Sequence, residues 1–219
     1  RRIAEDGRDA FYRGELPERM VAYLRSEGGL HTVDDFAAAA GEFVTPIKTR
    51  LGSFELVTTP ANVPSSPGVS TPDIVFSATL ADGNQITITA LLVDNVRTAG
   101  ATFDQRYNDL SGTADLIVYN GHAGLGANVR ALPQKGNWIA GQYAVVFMKG
   151  SDTYAYVDGA LWDAHKDVNS DDPSGTKYLD LVTNAMPSFF REMPDATLAL
   201  LDGLLGYDEP KTYEQIFKD

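Results

Sequence analysis

The chain has 219 residues, 43% hydrophobic and 22% charged, enough for one sizeable core and an accessory segment. Thirty acidic against 18 basic residues give a net charge of −12, which argues against nucleic acid as a partner, because phosphates would be repelled over most of the surface. With no cysteine, disulfides, thiolate metal sites and a cysteine nucleophile are excluded, and no apolar run reaches the ~18 residues a membrane span needs.

A soluble protein without membrane association is expected. The chain opens on Arg1-Arg2 and not on Met, so it reads as a fragment or a processed product. Any export signal would then be out of view, and a secreted or periplasmic location is preferred.

In chain order, Ile3–Ala40 read as helical. Phe11, Leu16, Met20, Val21 and Leu24 recur at helical spacing, and Gly28-Gly29 supply a stop. "HTVDDFAAAAG" predicts a second, short helix capped by Thr32, with Asp34 and Asp35 in its first turn. "SFELVTT" (53–59) alternates like a strand, and Asn62–Pro72 is a Pro/Ser-rich link. "DIVFSATL" and "QITITALLVDN" flank Asp82-Gly83 and predict a hairpin.

A helix is expected over "GATFDQRYNDLSGT", then a strand at Leu116–Asn120, a Gly-rich loop with a helix over Leu125–Leu132, and a strand at Tyr143–Met148. Further helices are expected at Asp158–Lys166, Lys177–Asn184, Pro187–Glu192 and Asp195–Gly203. This predicts a helical segment over 1–49 and an α/β domain over 50–219, built on a mostly parallel sheet flanked by helices.

Reactive residues in such sheets gather beyond the carboxyl ends of the strands. Two sit there: His122, in "VYNGHAG", and Ser151, in "VVFMKGSDTYAYVD". If the strands are adjacent and parallel, the two side chains face one crevice. Gly121 and Gly124 suggest a backbone that takes unusual dihedrals or approaches a ligand closely. Asp152 is placed at the crevice mouth, where its charge could recognise a basic side chain. Trp138, Tyr154 and Tyr156 either wall the crevice or fill the core. His31 and His165 lie among charges on helix-like segments and read as surface residues. The run Asp167–Asp172 carries oxygen ligands suited to calcium but lacks the Gly of an EF-hand loop and reads as a solvated turn. No metal and no cofactor are expected.

The ordered pair "VYNGHAG … VVFMKGSDTYAYVD" resembles the His and Cys strands of the caspase-like cysteine peptidases over about 76–158. The resemblance implies a caspase-like fold and an endopeptidase that acts on a peptide or protein through an acyl-enzyme. It implies His122 as the base, Ser151 at the nucleophile position, and the N–H groups of Ala123 and Ser151 as oxyanion donors. Ser in place of Cys departs from the family, because an alcohol is far less acidic than a thiol. A replaced cysteine in an inactive form, a natural pseudoenzyme and a true serine nucleophile are the three explanations. The alternative function is a non-enzymatic pseudopeptidase that binds a peptide or protein in the same cleft.

"IAEDGRDAFYRGELPERMVAYLRSEGGLHTVDDFAA" resembles a stretch of the γ-glutamyltranspeptidase large subunit over about Ile3–Ile47, with "SFELVTTP" as a possible extension. Enzymes of that family use an amino-terminal Thr freed by self-cleavage in a downstream subunit. The segment is therefore assigned packing and not chemistry, and transpeptidase activity is set aside for the chain.

Overall fold

The computed structural model describes residues 9–38, 57–59 and 73–218. The predicted strand at 53–59 enters them only at Val57, and the Asn62–Pro72 link lies outside the described residues. Residues Arg1–Thr49 and Arg50–Asp219 form two compact units.

In the first unit, α1 (Asp9–Tyr12) and α2 (Glu15–Ser26) stand where one continuous helix is predicted. Gly14, at φ 85°, separates them, and Pro17 is tolerated because the first helical turn has no intrahelical acceptor for its missing N–H. Pro17 and Val21, four residues apart, are the buried positions of α2. The third helix, α3 (Val33–Ala38), begins as predicted at Thr32. The Asp35 N–H donates to Thr32 Oγ1 (3.2 Å), and the Asp35 carboxylate accepts from the Thr32 N–H and hydroxyl (2.6 and 2.8 Å). These bonds hold the Asp35 carboxyl below its ordinary value. Among the described residues no helix is long and apolar enough to cross a membrane.

The second unit is α/β. Its described residues form two sheets instead of the single, mostly parallel one the sequence predicts. β1 (Val57–Thr59), β2 (Asp73–Thr79) and β3 (Gln85–Leu91) form an antiparallel sheet in that order, with Thr79 opposite Gln85 beside the predicted Asp-Gly turn. β4 (Leu116–Asn120), β5 (Ala144–Lys149) and β6 (Leu179–Thr183) form a parallel sheet with β5 at its centre. A hairpin needs only local chain reversal, whereas parallel strands require crossovers, here through α5 (Ala127–Gln134) and α7 (Ala160–Val168). α4 (Ala101–Ser111) leads into β4, and its Arg106 pairs with Asp73 of β2 at 3.2 Å.

β5 is buried from Ala144 through Met148, as expected for a strand covered on both faces. Burying Val145, Val146, Phe147 and Met148 contributes about 1.5–3 kcal/mol each before chain entropy is subtracted. Val129 and Leu132 of α5 and Leu161 of α7 join Val146 and Met148 in the main core cluster. The predicted helix at Lys177–Asn184 is instead β6. Leu179, Leu181, Val182 and Thr183 suit a pleated surface, and pairing to β5 satisfies a backbone that an isolated short helix would satisfy only marginally. The remainder of the chain carries a 3₁₀ turn at Phe190–Glu192, α8 (Met193–Leu205) and α9 (Tyr213–Ile216); between β5 and α7 lies the one-turn α6 (Thr153–Tyr156).

His165 departs most sharply from its predicted surface position, being 2% exposed. It lies one turn beyond Leu161 on the core-facing side of α7, 5.0 Å from the Trp138 ring centroid, and neither ring nitrogen has a hydrogen-bond partner. Burial lowers its pKa below the ordinary 6.5, opposed by the nearby Asp172 carboxylate. A depressed histidine pKa means the unfolded chain takes up the proton first. Its contribution to stability is therefore complete above pH ~6.5 and falls as the pH drops from there to the folded-state pKa. The Tm is accordingly expected to fall between about pH 7 and 5, with a shallower fall in His165→Leu. An unchanged slope of Tm against pH in that variant would show that His165 is not the responsible group.

Candidate functional site

β4 and β5 are adjacent and parallel, with Asn120 opposite Lys149, and the Gly121 N–H extends the ladder to the Lys149 carbonyl (3.1 Å). The loops carrying His122 and Ser151 therefore leave the same rim. Their close approach depends on Gly150: a Cβ there would lie 2.6 Å from the Gly121 carbonyl oxygen and 3.5 Å from the Ala123 nitrogen. Any larger residue would push the two loops apart.

The His122 loop is held through its backbone. The Tyr119 hydroxyl and the Asn128 amide both donate to the His122 carbonyl, at 2.5 and 3.0 Å. Burial raises the Tyr119 pKa, with the Asn128 hydrogen bond opposing, so the phenol is a proton donor at neutral pH. Ala123 is buried, and its carbonyl accepts from the N–H groups of Gly126 (3.0 Å) and Asn128 (3.3 Å), which starts α5. Gly124 adopts φ 61°, and the exposed Leu125 follows at φ 51°, a left-handed conformation that costs a branched residue roughly 1 kcal/mol or more. The His122 imidazole is exposed and meets the Phe190 ring edge-on, 4.8 Å between centroids.

The Ser151 turn is fixed from below. Thr153, fully buried, donates its hydroxyl to the Met148 carbonyl (2.7 Å) and accepts the Asn184 N–H (3.1 Å). Asn184 in turn accepts the Gly150 N–H on its side chain and the Tyr154 N–H on its carbonyl, both at 3.1 Å. Asp152 is left-handed, at φ 53°, and its N–H donates to the Met186 carbonyl (3.1 Å). Ser151 Oγ is exposed and accepts the Ser188 N–H at 3.4 Å.

His122, Ala123, Gly121, Gly124, Ser151 and Asp152 thus share one rim. Asp115 lies at the opposite end of the sheet, where its carbonyl accepts the Val145 N–H at the amino end of β5. Trp138 and Tyr156 pack against the core, whereas Tyr154 stands 70% exposed at the rim. The segment after β6 was missed from sequence. Asn184, Met186, Ser188 and Phe190 complete the rim, and reading Leu179–Thr183 as a strand would have brought "NAMPSFF" to it.

Among the described residues no group of three or more His, Cys, Asp or Glu is placed to hold a metal. In the acidic loop, Asp172 accepts from the Lys177 N–H (2.8 Å), the Ser174 hydroxyl (2.9 Å) and the Gly175 N–H (3.0 Å). Burial opposes its ionisation, but these donors keep its pKa below the ordinary value. Asp171 is bonded to the Lys177 ammonium and, at 2.8 Å, to the Tyr178 hydroxyl. The loop's carboxylates thus organise its own backbone and side chains.

The described residues of the second unit form an α/β fold in which the loops carrying His122 and Ser151 leave the carboxyl edge of a parallel sheet. Comparison with known proteins places a different family at the amino-terminal end. Residues 1–77 match the family model for γ-glutamyltranspeptidase. The chain is 37% identical over 73 residues to the glutathione hydrolase-like YwrD proenzyme of Bacillus subtilis, a match spanning 33% of this chain and 14% of that protein. It is 36% identical over 67 residues to the glutathione hydrolase proenzyme of Escherichia coli (31% and 11%), and 56% identical over 36 residues to the glutathione hydrolase of Aspergillus flavus (16% and 6%). The chain therefore covers only a small fraction of each relative's length. No solved structure matches.

The resemblance of the amino-terminal segment to γ-glutamyltranspeptidases is sound, and the family match extends past Ile47 to residue 77, through "SFELVTTP" and into β2. The caspase-like reading is overturned. The matches lead to γ-glutamyltranspeptidase and glutathione hydrolases, not to cysteine endopeptidases. The physical reason lies in the motif: an apolar strand ending in Gly beside a polar side chain is what any parallel sheet presents at its carboxyl rim. With the peptidase falls the cleft-binding pseudopeptidase derived from it.

Gly150→Ala is expected to destabilise the protein by about 1–3 kcal/mol, while Gly159→Ala, whose Cβ would meet only Asp163 Oδ2 at 3.5 Å, stays near neutral. Thr153→Val should cost about 1–3 kcal/mol, because it leaves the Asn184 N–H without its acceptor. Urea denaturation midpoints check all three.

Proposed function

We propose that the protein serves in γ-glutamyl-bond hydrolysis, with residues 1–77 acting as a scaffold segment of the large-subunit type. The observation that carries this reading is the 37% identity over 73 residues to a glutathione hydrolase-like proenzyme, within the family match over residues 1–77. The described part of that segment has the character of packing. Its buried positions are Pro17 and Val21, and the Thr32 hydroxyl is committed to capping α3, so it is not available as a nucleophile. The nucleophile and oxyanion donors for a γ-glutamyl acyl transfer would come from another part of the enzyme. The scaffold's contribution is to hold that part in register, which governs catalysis because small misplacements at a reacting centre are costly.

A chimera tests this directly. Residues 1–77 replace the corresponding segment of the Bacillus relative, and both maturation of the proenzyme and release of a chromogenic anilide from its γ-glutamyl derivative are measured. The chimera is expected to mature and to keep kcat/KM within about tenfold of the parent, a loss below ~1.4 kcal/mol. Introducing Val21→Asp into the grafted segment should abolish both. A folded, soluble chimera that neither matures nor turns over the anilide would refute the proposal.

A further inference from the structure

The loop that leads from α5 toward β5 packs beside the second half of α4, and a cleft of about 530 Å³ opens there. That volume is ordinary for a small-molecule site. Gln105, Asn108 and Asp109 line it from the helix, and Asn137 and Ile139 line it from the loop. Gly112, just past the end of α4, keeps it open: a Cβ there would stand 3.1 Å from Asn137 Nδ2 and 3.6 Å from the Ile139 side chain.

The polar groups of the cleft are positioned by bonds beneath it. Asn108 Oδ1 accepts the Gly136 N–H at 2.7 Å, and the Asn137 N–H donates to Ser111 Oγ at 2.8 Å, which ties the loop to the helix. Gln105 Nε2 donates to Asp109 Oδ1 at 2.8 Å and orients that carboxylate. Among the described residues, Asn108 Nδ2, the Asn137 carboxamide and Asp109 Oδ2 have no hydrogen-bond partner. Both Asp109 and Asn137 are exposed, so these atoms are open to a ligand.

The lining selects a chemistry largely by exclusion. It holds one carboxylate and no Lys, Arg or His, so an anion would be repelled. It has no aromatic ring on which a planar base could stack and no strand edge to which an extended peptide could add. The fit is to an uncharged ligand dense in groups that both donate and accept. Carboxamides do both and a carboxylate only accepts, and the hydroxyls of a sugar answer each of them. Ile139, 43% exposed, offers an apolar patch for the C–H face of a pyranose ring.

We propose that this cleft binds a neutral saccharide. Adjacent ring hydroxyls donate to the Asp109 carboxylate, the amides of Asn108 and Asn137 donate to hydroxyl oxygens, and the ring lies against Ile139. The cleft is lined only by residues of the Arg50–Asp219 unit and uses none of residues 1–77, so it stands or falls independently of the role given to that segment.

The test titrates the intact chain with the methyl α-pyranosides of glucose, galactose and mannose and follows backbone amide shifts by NMR. Glucuronate serves as a ring of the same kind carrying a negative charge, and N-acetylglycinamide as a probe of peptide groups. At least one glycoside is expected to give saturable shifts centred on Asn108, Gly112, Asn137 and Ile139, and glucuronate to bind more weakly. Asn137→Ala should weaken the glycoside about fivefold, the worth of one hydrogen bond. Asp109→Asn should weaken it about tenfold, through loss of a charged acceptor, and should close the gap between glycoside and glucuronate. Leu92→Ala, a change at an exposed residue outside the cleft, should leave binding unchanged. Both cleft variants alter exposed side chains, and their unaltered spectra elsewhere would establish that they fold. No saturable shift with any of the three glycosides, shifts centred elsewhere, or glucuronate binding as tightly as the glycoside would each overturn the proposal. N-acetylglycinamide binding as well as the sugar would also overturn it, making the cleft a peptide site.

Discussion

The carboxyl rim of this protein exists because β5 is hydrogen-bonded on both sides. With Asn120 opposite Lys149 and Met148 opposite Thr183, three strands end nearly level, and the loops that follow have nowhere to go but into one another. Burial of Ala144 through Met148 makes that alignment costly to shift, since a slip of one residue would turn every core side chain to the other face. The proximity of His122, Ser151 and Phe190 is a consequence of register before it is a consequence of any contact among them.

On that frame the rim stores local strain and offsets it nearby. Leu125 and Asp152 occupy left-handed conformations that are unfavourable for residues with a Cβ, and Gly121 and Gly150 sit where a side chain would collide. The compensation is polar and buried. Thr153 and Asn184 exchange several hydrogen bonds beneath the Ser151 turn, and Tyr119 with Asn128 holds the His122 carbonyl. A rim braced in this way presents its exposed side chains in fixed positions.

The two family resemblances seen in the sequence fared differently, and for a physical reason. The His and Ser strands are patterns that burial and sheet topology impose on unrelated α/β proteins, so their likeness to a peptidase carried little information about descent. In the amino-terminal stretch, the helix periodicity constrains mainly buried positions such as Pro17 and Val21. Identity of 37% over 73 residues is more than the spacing of a few buried positions would impose.

Local chemistry in the sequence by itself determined the helix start at Thr32, the Asp-Gly hairpin, the apolar strands β4 and β5, and the placing of His122 and Ser151 at strand ends. Each rests on interactions within a few residues: a cap, a turn, an unbroken apolar run. Only the tertiary structure decided that Leu179–Thr183 is a strand, that the antiparallel hairpin stands apart from the parallel sheet, and that His165 is buried without a partner. A five-residue segment has no stable conformation of its own, and its state is set by the edge of β5 that it satisfies. The third wall of the rim, from Asn184 to Phe190, was invisible for the same reason: its position follows from a pairing between residues more than thirty apart in the chain, and no local pattern encodes it.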